Sequence, residues 1–284
     1  MKLLITGSTG FVGHNLKEYF QSRYEGVHCP KRLELNLLDA EAVRVYLEKN
    51  RFDAVLHCGV SYRSVEENLK MYFNFERCAA SFGKMLCVGS GAEYGPKNEI
   101  QPRLKEDAFG RFIPSDIYGF SKFVIARDIE ARRRNVYNLR VFGIYGKYED
   151  YRQRFISNNI CRLLSGLDIS INKNVAFDYL YVDDFSRIME LFLKREPARR
   201  SYNICTGKTV DLLTLAGLVR KADGRGVPVT VKEQGLGPEY SGDNSLFTSE
   251  FGEFPYTPHE KAVQELYRWY KEDSGLAFGP GLFE

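Results

Sequence analysis

Tyr118 and Lys122 stand four residues apart in Tyr118-Gly119-Phe120-Ser121-Lys122, and on a helix that spacing puts both side chains on one face. A free phenol has a pKa of about 10. A neighbouring ammonium favours the phenolate and draws the group towards working pH, where it can serve as acid or base. Ser90, in Val88-Gly89-Ser90-Gly91-Ala92-Glu93-Tyr94-Gly95 after an apolar run, can hydrogen-bond the same substrate oxygen. Y-x-x-x-K alone describes many ordinary helix faces. Joined to a strand-end serine and a glycine loop at the start of the chain, it reads as a proton-transfer site.

That loop holds Gly7, Gly10 and Gly13, directly after the apolar Leu3-Leu4-Ile5. Glycine at these places permits a tight turn and lets backbone N–H groups approach a pyrophosphate at a helix N-terminus. The spacing is G-x-x-G-x-x-G, and a tight turn without a ligand is the plainer alternative. Its place between strand and helix favours a dinucleotide. Lys31 and Arg32 lie 18 and 19 positions beyond Gly13, where cations suit a 2′-phosphate. Glu34, 21 positions beyond, suits a ribose 2′-hydroxyl. NADP(H) is therefore favoured and NAD(H) stays open; solvated loop charges are the competing reading of Lys31 and Arg32.

The elements that must carry these groups follow from periodicity. Lys2–Thr6, Ala54–His57, Lys84–Val88 and Asn138–Phe142 read as buried strands, and His14–Arg23 and Ala40–Lys49 as helices. Strands separated by helices predict an α/β fold, a Rossmann-type doubly wound parallel sheet. After Gly146 the pattern predicts helix 155–164, strand 179–182, a helix ending near Lys194 and capped by Asp183 or Asp184, strand 201–205 and helices 211–222 and 259–271. The Gly- and Pro-rich stretch 224–258 reads as loops with short strands. Residues 1–145 and 176–207 are then the dinucleotide-binding domain, with 146–175 and 208–284 a smaller, discontinuous C-terminal lobe.

Composition narrows the class. At ~150 residues per domain, 284 residues make about two domains. With 44% hydrophobic and 27% charged residues the chain is globular, and a net charge of +3 is too balanced for a dedicated nucleic-acid binder. No run nears the ~18 apolar residues of a membrane span. The apolar N-terminal run is too short for a signal peptide, which predicts a cytoplasmic protein. Six scattered cysteines without C-x-x-C read as reduced core residues, and four histidines without a pair at helical spacing predict no metal site.

With these residues in place, the chain resembles an extended short-chain dehydrogenase/reductase of the nucleotide-sugar epimerase/dehydratase/reductase group. The resemblance covers most of the chain: Thr6-Gly7-x-x-Gly10-Phe11-Val12-Gly13, Asp53 to His57, Ser90 to Gly95, Tyr118 to Lys122, Arg140 to Gly146, Tyr179 to Asp184 and Tyr202 to Gly207. It implies Ser90, Tyr118 and Lys122 as the catalytic triad, with Lys122 also touching the nicotinamide ribose. It implies Gly7, Gly10, Phe11, Val12 and Gly13 around the cofactor, Asn36 and Leu37 near the adenine, and Cys58 and Gly59 beneath the cofactor. It further implies a C-terminal lobe for the nucleotide sugar and a homodimer through paired helices. Lys31 to Asp39 is similar to the corresponding stretch of GDP-fucose synthase, in which an arginine matching Arg32 meets the NADP 2′-phosphate.

The departures carry as much weight. Ala92 stands where that synthase has its epimerising cysteine, and its partner histidine has no counterpart near Tyr148 to Arg154. Gly91-Ala92 replaces the Asp-Glu pair of a 4,6-dehydratase, Gly143 replaces a usual Asn, and Phe177 replaces a diphosphate-clamping Arg. Arg152, Arg154 or Lys173 could supply the missing cation, or be surface charges. Glu93 could bind a substrate hydroxyl or be a solvated loop charge, and Tyr62 and Arg63 fall where substrate could pass. By elimination, the expected activity is an NADPH-dependent 4-ketoreductase of a nucleotide-activated (deoxy)sugar. An NAD-dependent C4 epimerase is the first alternative, and a non-catalytic dinucleotide sensor a more remote one.

Overall fold

Four of the five residues in the first strand are fully or nearly fully buried, so this strand lies inside the core. The computed structural model describes residues 1–96, 101–132 and 135–283. In chain order the elements are β1 (Lys2–Thr6), α1 (Phe11–Gln21), β2 (Gly26–His28), α2 (Ala40–Asn50), β3 (Phe52–His57), α3 (Val65–Glu76), β4 (Phe82–Ser90), α4 (Ile117–Arg132) and β5 (Val136–Val141). Then come β6 (Gly143–Tyr145), α5 (Phe155–Leu164), β7 (Ile169–Asn174), β8 (Ala176–Phe177), β9 (Tyr179–Tyr181), α6 (Val182–Lys194) and β10 (Ser201–Ile204). The chain closes with β11 (Val210–Asp211), α7 (Leu212–Asp223), β12 (Val229–Leu236), α8 (Ser245–Phe251) and α9 (His259–Glu272).

Six strands form one parallel sheet in the order β10-β5-β4-β3-β1-β2. The chain steps outward from β1 to β2 and then crosses back to β3 on the other side of β1. This leaves a crevice at the C-terminal ends of β1 and β3, the switch point where α/β sheets bind ligands. Both faces are covered, which explains the near-continuous apolar runs. One core packs Leu3, Ile5, Leu56, Leu86 and Leu139 against α1 and α6; the other packs Leu4, Val55 and Met85 against α2, α3 and α4.

A further core joins α5, β7, α7 and α9 around Ile160, Ile171, Leu215 and Leu266. The first turn of α1 touches two cores at once, Val12 packing on the sheet core and Phe11 on this one. His14 also stacks on Tyr148 at 3.8 Å, and Tyr148 in turn meets Trp269 of α9.

The sheet and the helix positions agree with expectation to within a few residues. Two readings need correction. The 224–258 stretch contains an eight-residue strand and a helix: β12 pairs with β7, and α8 buries Phe247 against Phe192. The Lys-Glu-Gln sequence within β12 shows no apolar alternation because the strand is almost wholly exposed. Asp183 and Asp184 do not cap α6. Tyr181 precedes the helix without a side-chain cap, and buried Asp184 instead accepts hydrogen bonds from Thr257 N–H and Oγ1, both at 2.7 Å. All six cysteines are free thiols, four of them buried.

Candidate active site

The glycine loop is built by close backbone approach. Gly7 has φ +65°, and a side chain there would meet the Cys58 and Gly59 backbone at 2.8 Å. At Gly13 a Cβ would lie 2.2 Å from the Gly7 carbonyl oxygen. Gly10 precedes α1 without a side-chain cap, and the first turn holds no acidic residue, leaving an N-terminus suited to an anion. Thr6 Oγ1 accepts from the N–H groups of Cys58 (3.2 Å) and Gly59 (3.3 Å), locking the ends of β1 and β3 together. The cradle fits a dinucleotide.

Along the same crevice, a Cβ on Gly59 would touch Leu37, whose carbonyl accepts from Asn74 Nδ2 at 2.9 Å. Asn36 is exposed and its Oδ1 accepts from the Leu38 N–H. Lys31, Arg32 and Glu34 are all exposed beyond β2. The Glu34 carboxylate turns back to accept from the Lys31 main-chain N–H at 2.7 Å. Among the described residues, neither the Lys31 nor the Arg32 side chain is in an ion pair.

Ser90, Tyr118 and Lys122 come together. Ser90 is the last residue of β4 and starts a 3₁₀ turn, Gly91–Tyr94, with its hydroxyl accepting from the Ala92 N–H at 3.1 Å. It lies close enough to the Tyr118 phenol to lower its pKa. Asp116 accepts from the Gly119 N–H at 2.8 Å and starts α4. Lys122 is buried and donates to the Val88 carbonyl at 2.6 Å, its ammonium 5.8 Å from the centre of the Tyr118 ring. One expectation is corrected here. Burial pushes the Tyr118 phenol up, and the group that pulls it back is first Ser90, not Lys122. Burial likewise pushes the Lys122 ammonium down.

Glu93 is neither a solvated charge nor open to a substrate hydroxyl. It is fully buried, accepting from the Ser90 main-chain N–H at 2.9 Å, Asn138 Nδ2 at 2.8 Å and Arg140 Nε at 2.7 Å. Burial pushes its carboxyl up and the Arg140 charge pulls it down. Gly89 leaves the room, since a Cβ there would strike Asn138 Oδ1 and Glu93 Oε1.

Tyr62 stacks on Tyr118 with ring centres 5.2 Å apart. Asn68 holds that loop by clasping both main-chain groups of Ser61 at 2.7 Å and donating to Ser121 Oγ on α4 at 2.9 Å. Arg154, just before α5, lies near enough for its charge to draw down both the Tyr62 and the Tyr118 phenols. The other candidate cations are placed elsewhere: Arg152 lies over the Tyr151 ring, and Lys173 faces Glu233 at 3.8 Å. Phe177 belongs to an aromatic cluster with Tyr179 and Tyr240.

Sequence reasoning missed two groups: Glu93 as the holder of Ser90, and Tyr240. Buried Tyr240 enters from the loop after β12, its hydroxyl lying where a side chain on Gly91 would stand. No local spacing relates it to Ser90 or Tyr118.

A dinucleotide crevice with a Ser–Tyr–Lys set at its edge defines an α/β oxidoreductase-type enzyme. The NAD dependent epimerase/dehydratase family matches residues 3–205, and the chain belongs to that family. A curated relative, ADP-L-glycero-D-manno-heptose-6-epimerase of Cupriavidus pinatubonensis, is 27% identical over 189 residues; the match spans 55% of this chain and about half, 55%, of that protein. Among solved structures, a GDP-mannoheptose C4 reductase from Campylobacter jejuni with NADP bound superposes with TM-score 0.80 at 20% identity, covering 95% of this chain and 98% of that one. A GDP-L-fucose synthetase from Naegleria fowleri bound to NADP gives TM-score 0.82 at 17% identity, covering 97% and 95%. The UDP-glucose 4-epimerase of Thermus thermophilus in complex with NAD gives 0.77 at 21%, covering 96% and 100%. Among the described residues no helix is long and apolar enough to cross a membrane.

Proposed function

We infer that this enzyme is an NADPH-dependent 4-ketoreductase of a nucleotide-activated (deoxy)sugar. The observation that carries the reading is a complete Ser90–Tyr118–Lys122 set beside a position, Gly91, whose side-chain space is taken by Tyr240 Oη at 2.4 Å and Phe142 at 2.7 Å. An elimination acid has no room there, and Ala92 offers no thiol to move a carbon-bound proton. What is left is redox chemistry at a carbonyl.

When bound, the dinucleotide supplies hydride. Tyr118 delivers its proton to the carbonyl oxygen, and the Ser90 hydroxyl hydrogen-bonds the same oxygen as charge develops on it. Lys122 stands behind both, its ammonium held by the Val88 carbonyl. Gly7, Gly10, Phe11, Val12 and Gly13 shape the pyrophosphate cradle, and Asn36, Leu37, Cys58 and Gly59 line the crevice beyond it. Lys31 and Arg32 are the groups for a 2′-phosphate, favoured because the Glu34 carboxylate is engaged with the Lys31 backbone. Arg154 and Tyr62 face the sugar diphosphate, with residues 146–175 and 208–284 as the substrate lobe. The cytoplasm and a homodimer through α3 and α4 complete the proposal; light scattering tests the dimer.

The test is mass identification of the dinucleotide released from purified protein, followed by titration with NADPH and NADH. Strong NADPH preference with ready exchange supports net reduction. Tightly held NAD overturns it in favour of a C4 epimerase, which uses the same three side chains.

A further inference from the structure

Thr6 and His57 end β1 and β3, stand opposite each other in the ladder, and are both buried. A threonine hydroxyl has one proton and two lone pairs. Thr6 Oγ1 already accepts two main-chain N–H groups, those of Cys58 at 3.2 Å and Gly59 at 3.3 Å. A third hydrogen bond joins it to His57 Nδ1 at 3.0 Å. With both lone pairs taken, that bond has only the Thr6 proton to use. Thr6 therefore donates, His57 Nδ1 is a bare acceptor, and the imidazole proton sits on Nε2.

The imidazole is wedged beneath the crevice. It packs on Phe75 of α3 with ring centres 5.5 Å apart, and its Cε1 lies 3.7 Å from where a Gly59 side chain would stand. Burial, and then the Lys122 charge, push its pKa down to about 3, so the ring carries no second proton at neutral pH. What the clasp holds is the floor of the glycine loop. A Cβ on Gly7 would come within 2.8 Å of the Cys58–Gly59 peptide, so a shift of that peptide disturbs the Gly7 turn directly.

We propose that His57 is a positioning residue for the dinucleotide: as the Nε2–H tautomer it takes the Thr6 proton, and so leaves both Thr6 lone pairs to hold the Cys58 and Gly59 amides under the glycine loop. The Nδ1–H tautomer would bring a third hydrogen to the same oxygen, and one amide would be released. The proposal rests on the reading of this crevice as the dinucleotide site. It explains why a histidine ends a strand whose other buried residues, Phe52, Ala54, Val55 and Leu56, are all apolar.

His57→Asn keeps an acceptor near the Nδ1 position, and His57→Leu fills the space without one. NADPH affinity, read by fluorescence titration, should fall about tenfold in His57→Leu, one hydrogen bond's worth, and stay within about twofold of wild type in His57→Asn. Thr6→Val should match His57→Leu, and joining the two should cost nothing further, the mark of an effect transmitted through Thr6. Equal loss in both His57 variants, or no loss in either, overturns the proposal. Two readouts need no cofactor. The ring-nitrogen NMR spectrum of isotope-labelled wild type, with the His57 signals assigned by their absence in His57→Asn, should show the Nε2–H tautomer at about pH 7. An Nδ1–H or doubly protonated ring overturns the proposal, whether or not His57→Leu folds. Hydrogen exchange at the Cys58 and Gly59 amides should quicken in His57→Leu and not in His57→Asn; equal rates in the two overturn the role of the acceptor. If wild-type protein binds neither NADPH nor NADH, the reading of the crevice fails, and the tautomer and the amide exchange still decide the proposal.

Discussion

Glu93 and Arg140 meet at 2.7 Å with both side chains shut off from solvent. The pair lies directly behind the proposed catalytic corner: the Glu93 oxygen not facing Arg140 accepts the Ser90 main-chain N–H. Arg140 is further held by Glu130 at 2.7 Å and lies over the Phe109 ring at 4.2 Å. Ser90 is therefore fixed through its backbone by one network and through its hydroxyl by the Ala92 N–H.

Removing one partner of a buried ion pair strands the other's charge, at a cost of about 3–5 kcal/mol. Glu93→Ala should lower stability by that order, measured by urea denaturation. Glu93→Gln keeps an acceptor for the Ser90 N–H and should lose less. Equal loss in both variants would mean that the charge, and not the hydrogen bond to Ser90, is what matters.

Tyr118→Phe should abolish turnover while leaving NADPH affinity within about twofold. Burial pushes the Tyr118 phenol up, so the acid is protonated at neutral pH and reduction should decline only on the alkaline side. A rate that falls between pH 6 and 8 (about the range of an imidazole) would assign the proton to another group.

Arg32→Ala and Lys31→Ala should each weaken NADPH binding about tenfold, since a charge-assisted phosphate contact is worth roughly 1.5–3 kcal/mol, and leave NADH nearly unchanged. Fluorescence titration of both cofactors checks this. A parallel loss for NADH would place these side chains away from the 2′-position.

Glu149 gives a stability prediction. Burial pushes its carboxyl to about 8, and Ser157 Oγ donates to it. Its folded pKa exceeds the unfolded value, so stability declines as pH rises from the unfolded pKa towards about 8. Glu149→Gln should leave stability near wild type at about pH 4.5 and gain relative to wild type by up to ~1.4 kcal/mol per unit across that window. Thermal unfolding of both proteins at several pH values measures it, and a constant difference would sink the assignment.

The parallel sheet, the glycine cradle and the Ser90–Tyr118–Lys122 set were all legible in the chain before it was folded. Each rests on local spacing: apolar runs for buried strands, glycines where backbones touch, and i, i+4 for one helix face. Which charges serve the site is settled by packing alone. Glu93, Arg152 and Arg154 look alike as loop charges, yet β5 places Asn138 and Arg140 against the first, Tyr151 underlies the second, and the third reaches Tyr62. Tyr240 was hidden for the same reason. Its approach to Gly91 joins the loop after β12 to the end of β4, and a contact made by packing distant segments leaves no periodicity in the chain.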